Sequence, residues 1–171
     1  MNIDSPTGDR DRESLDRTDR EFLAEAVKLA VDNVADGGGP FGAVVVRDGE
    51  IVSVGQNRVT RDHDPSAHAE VVAIRAAGQN IGDFSLEGTT LYSSCEPCPM
   101  CMAASLWARV DRVVYAADRH DAAEGGFDDL EFYRLFETDR SEWSVPVESL
   151  RINDAAAPFE HWMSAAGRTE Y

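Results

Sequence analysis

His68, Glu70, Cys98 and Cys101 have the residue types and spacing of a reactive centre. Imidazole and thiolate donors suit a tetrahedral Zn²⁺. Cys98 and Cys101 stand three apart, so on a first helical turn both sulfurs face one point, and a helix amino terminus favours their thiolate forms. His68 and Glu70 stand two apart and would diverge in mid-helix, but at a helix start side chains lean back and can address one site beyond it. Three protein ligands leave the fourth tetrahedral position open, the arrangement of catalytic zinc. Two thiolates blunt the Lewis acidity of the ion, so a base must take the proton from water. Glu70 is placed for that and can return the proton to a leaving amine. The competing reading is a zinc-stapled structural domain. It needs a fourth ligand, for which Cys95 is the candidate, but Cys95 precedes the turn that gathers the other sulfurs and reads as a buried small residue.

The elements that must position these residues follow from the hydrophobic pattern. Thr18 with Glu21 resembles a capping box, and Phe22, Leu23, Ala26, Val27, Ala30, Val31 and Val34 recur at helical spacing. Gly37, Gly38 and Gly39 end that helix, and Ala43–Val46 and Ile51–Val54 read as a hairpin around Asp48-Gly49. Asp64-Pro65-Ser66 marks a helix start, running to Ala77 and stopped by Gly78. Strand Thr89–Ser93, a helix opened by Pro97 and carrying Met102, Leu106 and Trp107, and strand Arg112–Ala116 imply a parallel crossover. Trp107 beside Met102 and Leu106 reads as core. Helical residues at Asp128–Phe136, a strand at Val145–Leu150 and a helix near Pro158–Ala166 complete a layered α/β domain. Residues 1–17, rich in Asp and Arg with few apolar anchors, read as a disordered tail before a domain spanning 18–171.

Composition narrows the partners. The 171 residues are 43% hydrophobic and 28% charged, which suits one soluble domain. Their 16 basic and 32 acidic residues give a formal net charge of -16, a surface that repels phosphate backbones and argues against nucleic acid. Lys28 is the only lysine, and the acidity reads as adaptation to a high-salt cytoplasm, where screening weakens self-repulsion. The amino terminus does not read as a secretory signal and no run is long enough to span a membrane, so a cytoplasmic location is expected. Three cysteines point to metal chemistry rather than a disulfide framework.

His68-Ala69-Glu70 followed by Pro97-Cys98-Pro99-Met100-Cys101 matches the zinc nucleobase deaminase signature H-x-E…P-C-x-x-C. From about Gly39 to Tyr171 the chain resembles the bacterial guanine deaminase branch of the cytidine deaminase-like family. The resemblance rests on Pro40-Phe41-Gly42-Ala43, Asn57, Asp64 to Glu70, Cys95 to Cys101, Trp107-Ala108-Arg109, Asp121 to Glu124, Gly126-Phe127-Asp128-Asp129 and Glu170-Tyr171. It implies a three-layer α/β/α sandwich with a central mixed sheet, and hydrolysis of guanine to xanthine and ammonia. It also implies a homodimer whose carboxy-terminal segment, about 155–171, is exchanged between protomers. By the same resemblance Asn57 hydrogen-bonds the purine, the Ala69 N–H meets the ring near the reacting carbon, and Phe41 packs beside it. Asp129 contacts the guanine amino edge, where a carboxylate is a good acceptor for N–H donors. Tyr171, at the chain end, belongs to the segment that reaches the substrate. The nearest rival is a tRNA adenosine deaminase, which shares both motifs but calls for a basic RNA face; the carboxy-terminal half shows no basic cluster. His63, His120 and His161 have no partners at metal spacing.

Overall fold

Strand β1 (Gly42–Arg47) is buried along nearly its whole length, as its Ala-Val-Val-Val run requires of a strand covered on both faces. It pairs antiparallel with β2 (Glu50–Gln56) across the Asp48-Gly49 turn, where both residues have positive φ, and antiparallel with β3 (Thr89–Cys95) on its other side. β3 pairs in parallel with β4 (Arg112–Ala117), so the sheet order is β2-β1-β3-β4. The computed structural model describes residues 7–170, with side chains placed from Arg17 onward.

Alternation along the strands divides the core in two. Ala43, Val45 and Leu91 pack with Ala69, Ala73 and Ala77 of α3 (Ala69–Ile81). Val44, Val46 and Tyr92 face the opposite way, onto Phe22, Leu23 and Ala26 of α1 (Thr7–Ala35). Helix α4 (Pro99–Trp107) is the crossover between β3 and β4. The result is a mixed sheet between helical layers, as the family resemblance implied. Two glycines set the approach of the layers: a Cβ on Gly42 would collide with the α1 backbone at Ala26, and one on Gly55 with the α3 backbone at Ala69. Asp19 of α1 is tied to the sheet, accepting from Tyr92 Oη at 2.7 Å and from Arg112 at 2.8 and 2.6 Å.

Several boundaries differ from the sequence reading. α1 begins at Thr7, so Thr18 lies inside the helix and residues 7–17 continue it; propagation adds a hydrogen bond per residue once the amphipathic part has formed. The rest of the expected tail, residues 1–6, lies outside the described residues. Asp64 makes a local turn, accepting from Ser66 N at 2.8 Å, and α3 starts only at Ala69. Gly78 does not stop α3; Gly82 does, with the positive φ of 77° that a left-handed cap requires. A one-turn helix, α2 (Val59–Asp62), went unforeseen. Trp107 is 64% exposed at the end of α4 instead of joining the core. Helix α5 (Arg119–Glu124) is headed by a capping box of Asp118 and Asp121, and α6 spans Asp129–Glu137.

The chain divides into two compact units, the first ending at Tyr133 and the second starting at Arg134. The second contains a 3-10 turn at Arg140–Glu142, helix α7 (Ala157–Ser164) and a Phe136–Trp143 ring contact at 5.2 Å. Val145–Leu150, expected as a strand, is irregular chain, since β structure requires a ladder partner and none is described there. Phe136, Val147, Leu150, Ile152, Phe159 and Met163 of this unit are all exposed.

Candidate active site

Two helix amino termini converge on one point. His68 is the N-cap of α3 and Cys98 the N-cap of α4, both extended, and neither N-cap makes a side-chain capping hydrogen bond. Pro99 occupies the first turn of α4, the position where a missing N–H costs least, which makes Cys98 the cap instead of a first-turn residue and puts Cys101 on the turn behind it. The donor atoms of His68, Cys98 and Cys101 all lie within 4.8 Å of one another. Cys98 Sγ is 3.6 Å from Cys101 Sγ and 3.6 Å from His68 Nδ1. Zn–S and Zn–N bonds of about 2.3 and 2.0 Å at tetrahedral angles separate such atoms by roughly 3.5 to 3.8 Å, so both separations from Cys98 Sγ match, and the donor set fits zinc in chemistry.

The electrostatics agree. The Cys98 thiol is pulled down to about 4 by its contact with Cys101, against its burial, and is helped by His68. Cys101 is pushed up by the same contact, by burial and by the facing Glu70 carboxylate. His68 is held above its usual value, first by Cys98. A negative charge on the sulfur pair, aimed at by two helix amino ends, is a seat for a cation.

Glu70, in the first turn of α3, is 5% exposed. Ser93 Oγ donates to its Oε1 at 3.2 Å and Cys101 Sγ to its Oε2 at 3.4 Å. Burial raises the Glu70 carboxyl above the ordinary carboxylate range, which suits a group that must both take and give a proton. Cys95 ends β3 as a buried thiol, its Sγ donating to Asp118 O at 3.5 Å and its acidity weakened to about 12 by burial; it is not in the donor cluster.

A pocket of about 220 Å³ opens over this centre, lined by Phe41, Asn57, His68, Glu70 and Asp129 together with Gly39, Thr60, Glu96 and Phe127. The structure thus gathers the substrate-side residues named from the sequence, except two. Ala69 opens α3, so its N–H is one of the amides a helix leaves without an internal acceptor. Tyr171 lies outside the described residues. Asp129 is half-buried at the start of α6, and burial followed by the negative Cys98 sulfur raises its carboxyl. Phe41 meets Phe127 edge to face at 4.8 Å, making one wall. A larger groove of about 480 Å³ shares Phe41 and Phe127 as lining residues, but its other walls are largely aliphatic and carry no metal-ligand cluster.

Asn33 and Glu96 are the supports that sequence reasoning missed. Asn33 is fully buried and its Nδ2 donates at 2.8 Å to the carbonyls of both Gly39 and Asn57. The available signal was an amide on the apolar stripe of α1, three residues beyond Ala30. Glu96 stands immediately before Pro97-Cys98, where its residue type alone does not reveal its arginine partner more than twenty residues away.

Residues 16–117 match the cytidine and deoxycytidylate deaminase zinc-binding region. The chain is 48% identical over 151 residues to the guanine deaminase of Bacillus subtilis (strain 168), covering 88% of this chain and 97% of that protein. A crystal structure of guanine deaminase from Bacillus subtilis superposes with a TM-score of 0.86 at 47% identity, covering 89% of this chain and 98% of that one. The tRNA-specific adenosine deaminase of Buchnera aphidicola subsp. Schizaphis graminum is 37% identical over 109 residues, 64% of this chain and 72% of that protein. With a zinc-fitting donor triad at two helix ends and a buried glutamate beside it, the chain belongs to the cytidine and deoxycytidylate deaminase family and is a zinc-dependent hydrolytic deaminase of its bacterial-type guanine deaminase branch.

Proposed function

We propose that this enzyme hydrolyses guanine to xanthine and ammonia. The observation that carries the reading is one pocket with the buried Glu70 carboxyl at the His68–Cys98–Cys101 centre and Asp129 lining the same space. Bound by His68, Cys98 and Cys101, zinc supplies the Lewis acidity that makes water a nucleophile at neutral pH. Glu70 takes the proton from that water as its oxygen adds to C2 and the C2=N3 pair moves onto N3. It gives the proton to the amine, which leaves as ammonia when that pair returns and the C2–N bond breaks; the 2-hydroxy product relaxes to xanthine by tautomerisation. Asp129 accepts from the N–H donors of the guanine edge, Asn57 bonds the purine, the Ala69 N–H meets the ring near C2, and Phe41 packs on its face. Adenine lacks that donor edge, and an acceptor left unpaired costs on the order of 1–3 kcal/mol, roughly tenfold to a hundredfold in discrimination.

Ammonia release from guanine, guanosine, adenine, cytosine and a tRNA stem-loop tests the reading. Guanine should have the highest kcat/KM, and Asp129→Ala should lower it with zinc still bound. Preference for adenosine in the stem-loop would transfer the assignment to tRNA editing, the activity named for the Buchnera relative.

The reading extends to purine catabolism in the cytoplasm; among the described residues no helix is long and apolar enough to cross a membrane. It also extends to a homodimer that exchanges its carboxy-terminal segment, so that Tyr171 reaches the partner's pocket. Exposed Leu150, Ile152, Phe159 and Met163 support this, because apolar side chains on that scale call for a covering surface. Sedimentation at high salt should give a dimer, and deleting residues 155–171 should impair turnover more than zinc content. A monomer, or a fully active truncation, would reject the exchange.

A further inference from the structure

Glu96, Arg119 and Tyr133 form a closed ring around the loop that carries Cys98. The Arg119 guanidinium grips the Glu96 carboxylate at both oxygens, at 2.9 and 2.5 Å, and the Arg119 backbone N–H adds a third bond at 3.1 Å. The same guanidinium carbon sits over the Tyr133 ring, 3.4 Å from its centroid. Tyr133 Oη in turn donates to the Pro97 carbonyl at 2.6 Å. Glu96 N donates to Ala117 O at 2.9 Å, so the Glu96-Pro97 dipeptide is held by its N–H, its carboxylate and its last carbonyl, immediately before the Cys98 N-cap. Although Glu96 lines the pocket, its carboxylate is fully engaged and held well below its usual range by Arg119, so it is not a spare acceptor for substrate.

Tyr133 is on α6, four residues after Asp129. Residues at that separation share a helix face, so the bond from Tyr133 to Pro97 fixes how far the Asp129 carboxylate stands from the Cys98 loop. A bidentate arginine and a stacked ring are stiff connections, while an ammonium in place of the guanidinium has neither the fork nor the flat face.

We infer that Tyr133, clamped by Arg119 and Glu96, is a positioning residue that sets the Asp129 acceptor against the metal centre and so determines how the enzyme selects its base. The inference rests on the proposed role of Asp129 in binding guanine. A displacement of about 1 Å in such a group costs up to a hundredfold in rate.

The test is a double-mutant cycle of Tyr133→Phe and Asp129→Ala on the zinc-loaded full chain. Tyr133→Phe keeps the stack on Arg119 and removes only the hydroxyl. It should leave one zinc per chain and lower the melting temperature by only about 2–4 °C, the worth of one hydrogen bond, while lowering kcat/KM for guanine about tenfold and narrowing the preference for guanine over adenine. In the Asp129→Ala background the same substitution should have little further effect. Arg119→Lys should reproduce the loss in the wild-type background. Additive effects of the two substitutions, or a guanine-to-adenine ratio unmoved by Tyr133→Phe, would overturn the inference, as would loss of zinc in Tyr133→Phe. If Asp129→Ala is silent while Tyr133→Phe is impaired, the coupling is refuted as well. Failure of the guanine assignment itself shows separately, as a wild-type enzyme that turns over a different base.

Discussion

At the scale of single residues the site depends on one buried carboxyl. Glu70 touches both Ser93 and a thiol of the donor cluster, and burial makes its proton hard to remove. Glu70→Gln preserves shape and hydrogen-bonding capacity but not proton transfer. It should retain one zinc per chain by elemental analysis and lose roughly a hundredfold to ten-thousandfold in turnover. Retained activity, or zinc lost with the substitution, would remove Glu70 from the proton path. The donor triad and the carboxyl beside it were legible in the sequence because such a cluster depends on residue type and short spacing. Asn33 and Tyr133 were not, since each acts across long sequence separation, on Asn57 and Pro97, through contacts that exist only once the helices have packed.

At the scale of elements the least predictable features were ends. The sequence shows the apolar stripe of α1 clearly, yet its amino-terminal half is polar, and periodicity gives no signal there although each added residue can still propagate the helix by a backbone hydrogen bond. The misplaced stop of α3 has a different cause: Gly78 and Gly82 are alike in sequence, and only the backbone turn distinguishes them. α1 is fastened to β3 and β4 through Asp19, which is held below its ordinary value first by Arg112 and then also by Tyr92. A carboxyl with a depressed folded value stabilises the protein above the unfolded value near 3.8, and that contribution disappears as pH falls through the lower folded value. Tyr92 is raised to about 12, chiefly by burial, so the neutral phenol's contribution is complete below 10 and fades as pH rises through 12. Asp19→Asn should lower the melting temperature at pH 7 and lessen the loss seen on acidification below pH 4. An acid transition identical to that of the wild type would show that the tie is energetically idle.

At the scale of the whole molecule the dominant quantity is charge. A net charge of -16 on 171 residues opposes compaction in dilute buffer, and the Debye length falls to about 3 Å in molar salt. The melting temperature should therefore climb between dilute and molar KCl. A flat response would mean that the acids are already offset locally, as Asp19 and Glu96 are by arginines. Acidity and the absence of a basic cluster in the carboxy-terminal half also bear on the choice between a free base and RNA, since a phosphate backbone requires a positive face.

The uncapped starts of α3 and α4 have a consequence for local unfolding. An N-cap side chain that accepts no amide proton forgoes on the order of 1 kcal/mol of helix stability, and here both helices forgo it at His68 and Cys98. The side chains at these two caps belong to the donor cluster instead, so with zinc bound there, holding the metal and keeping the two first turns closed would become one equilibrium. Chelation should then accelerate amide hydrogen exchange at Val71 and Val72 and at Cys101 and Met102, while the β1 amides stay protected. Exchange that quickened uniformly, or not at all, would show that the two helices hold their own ends.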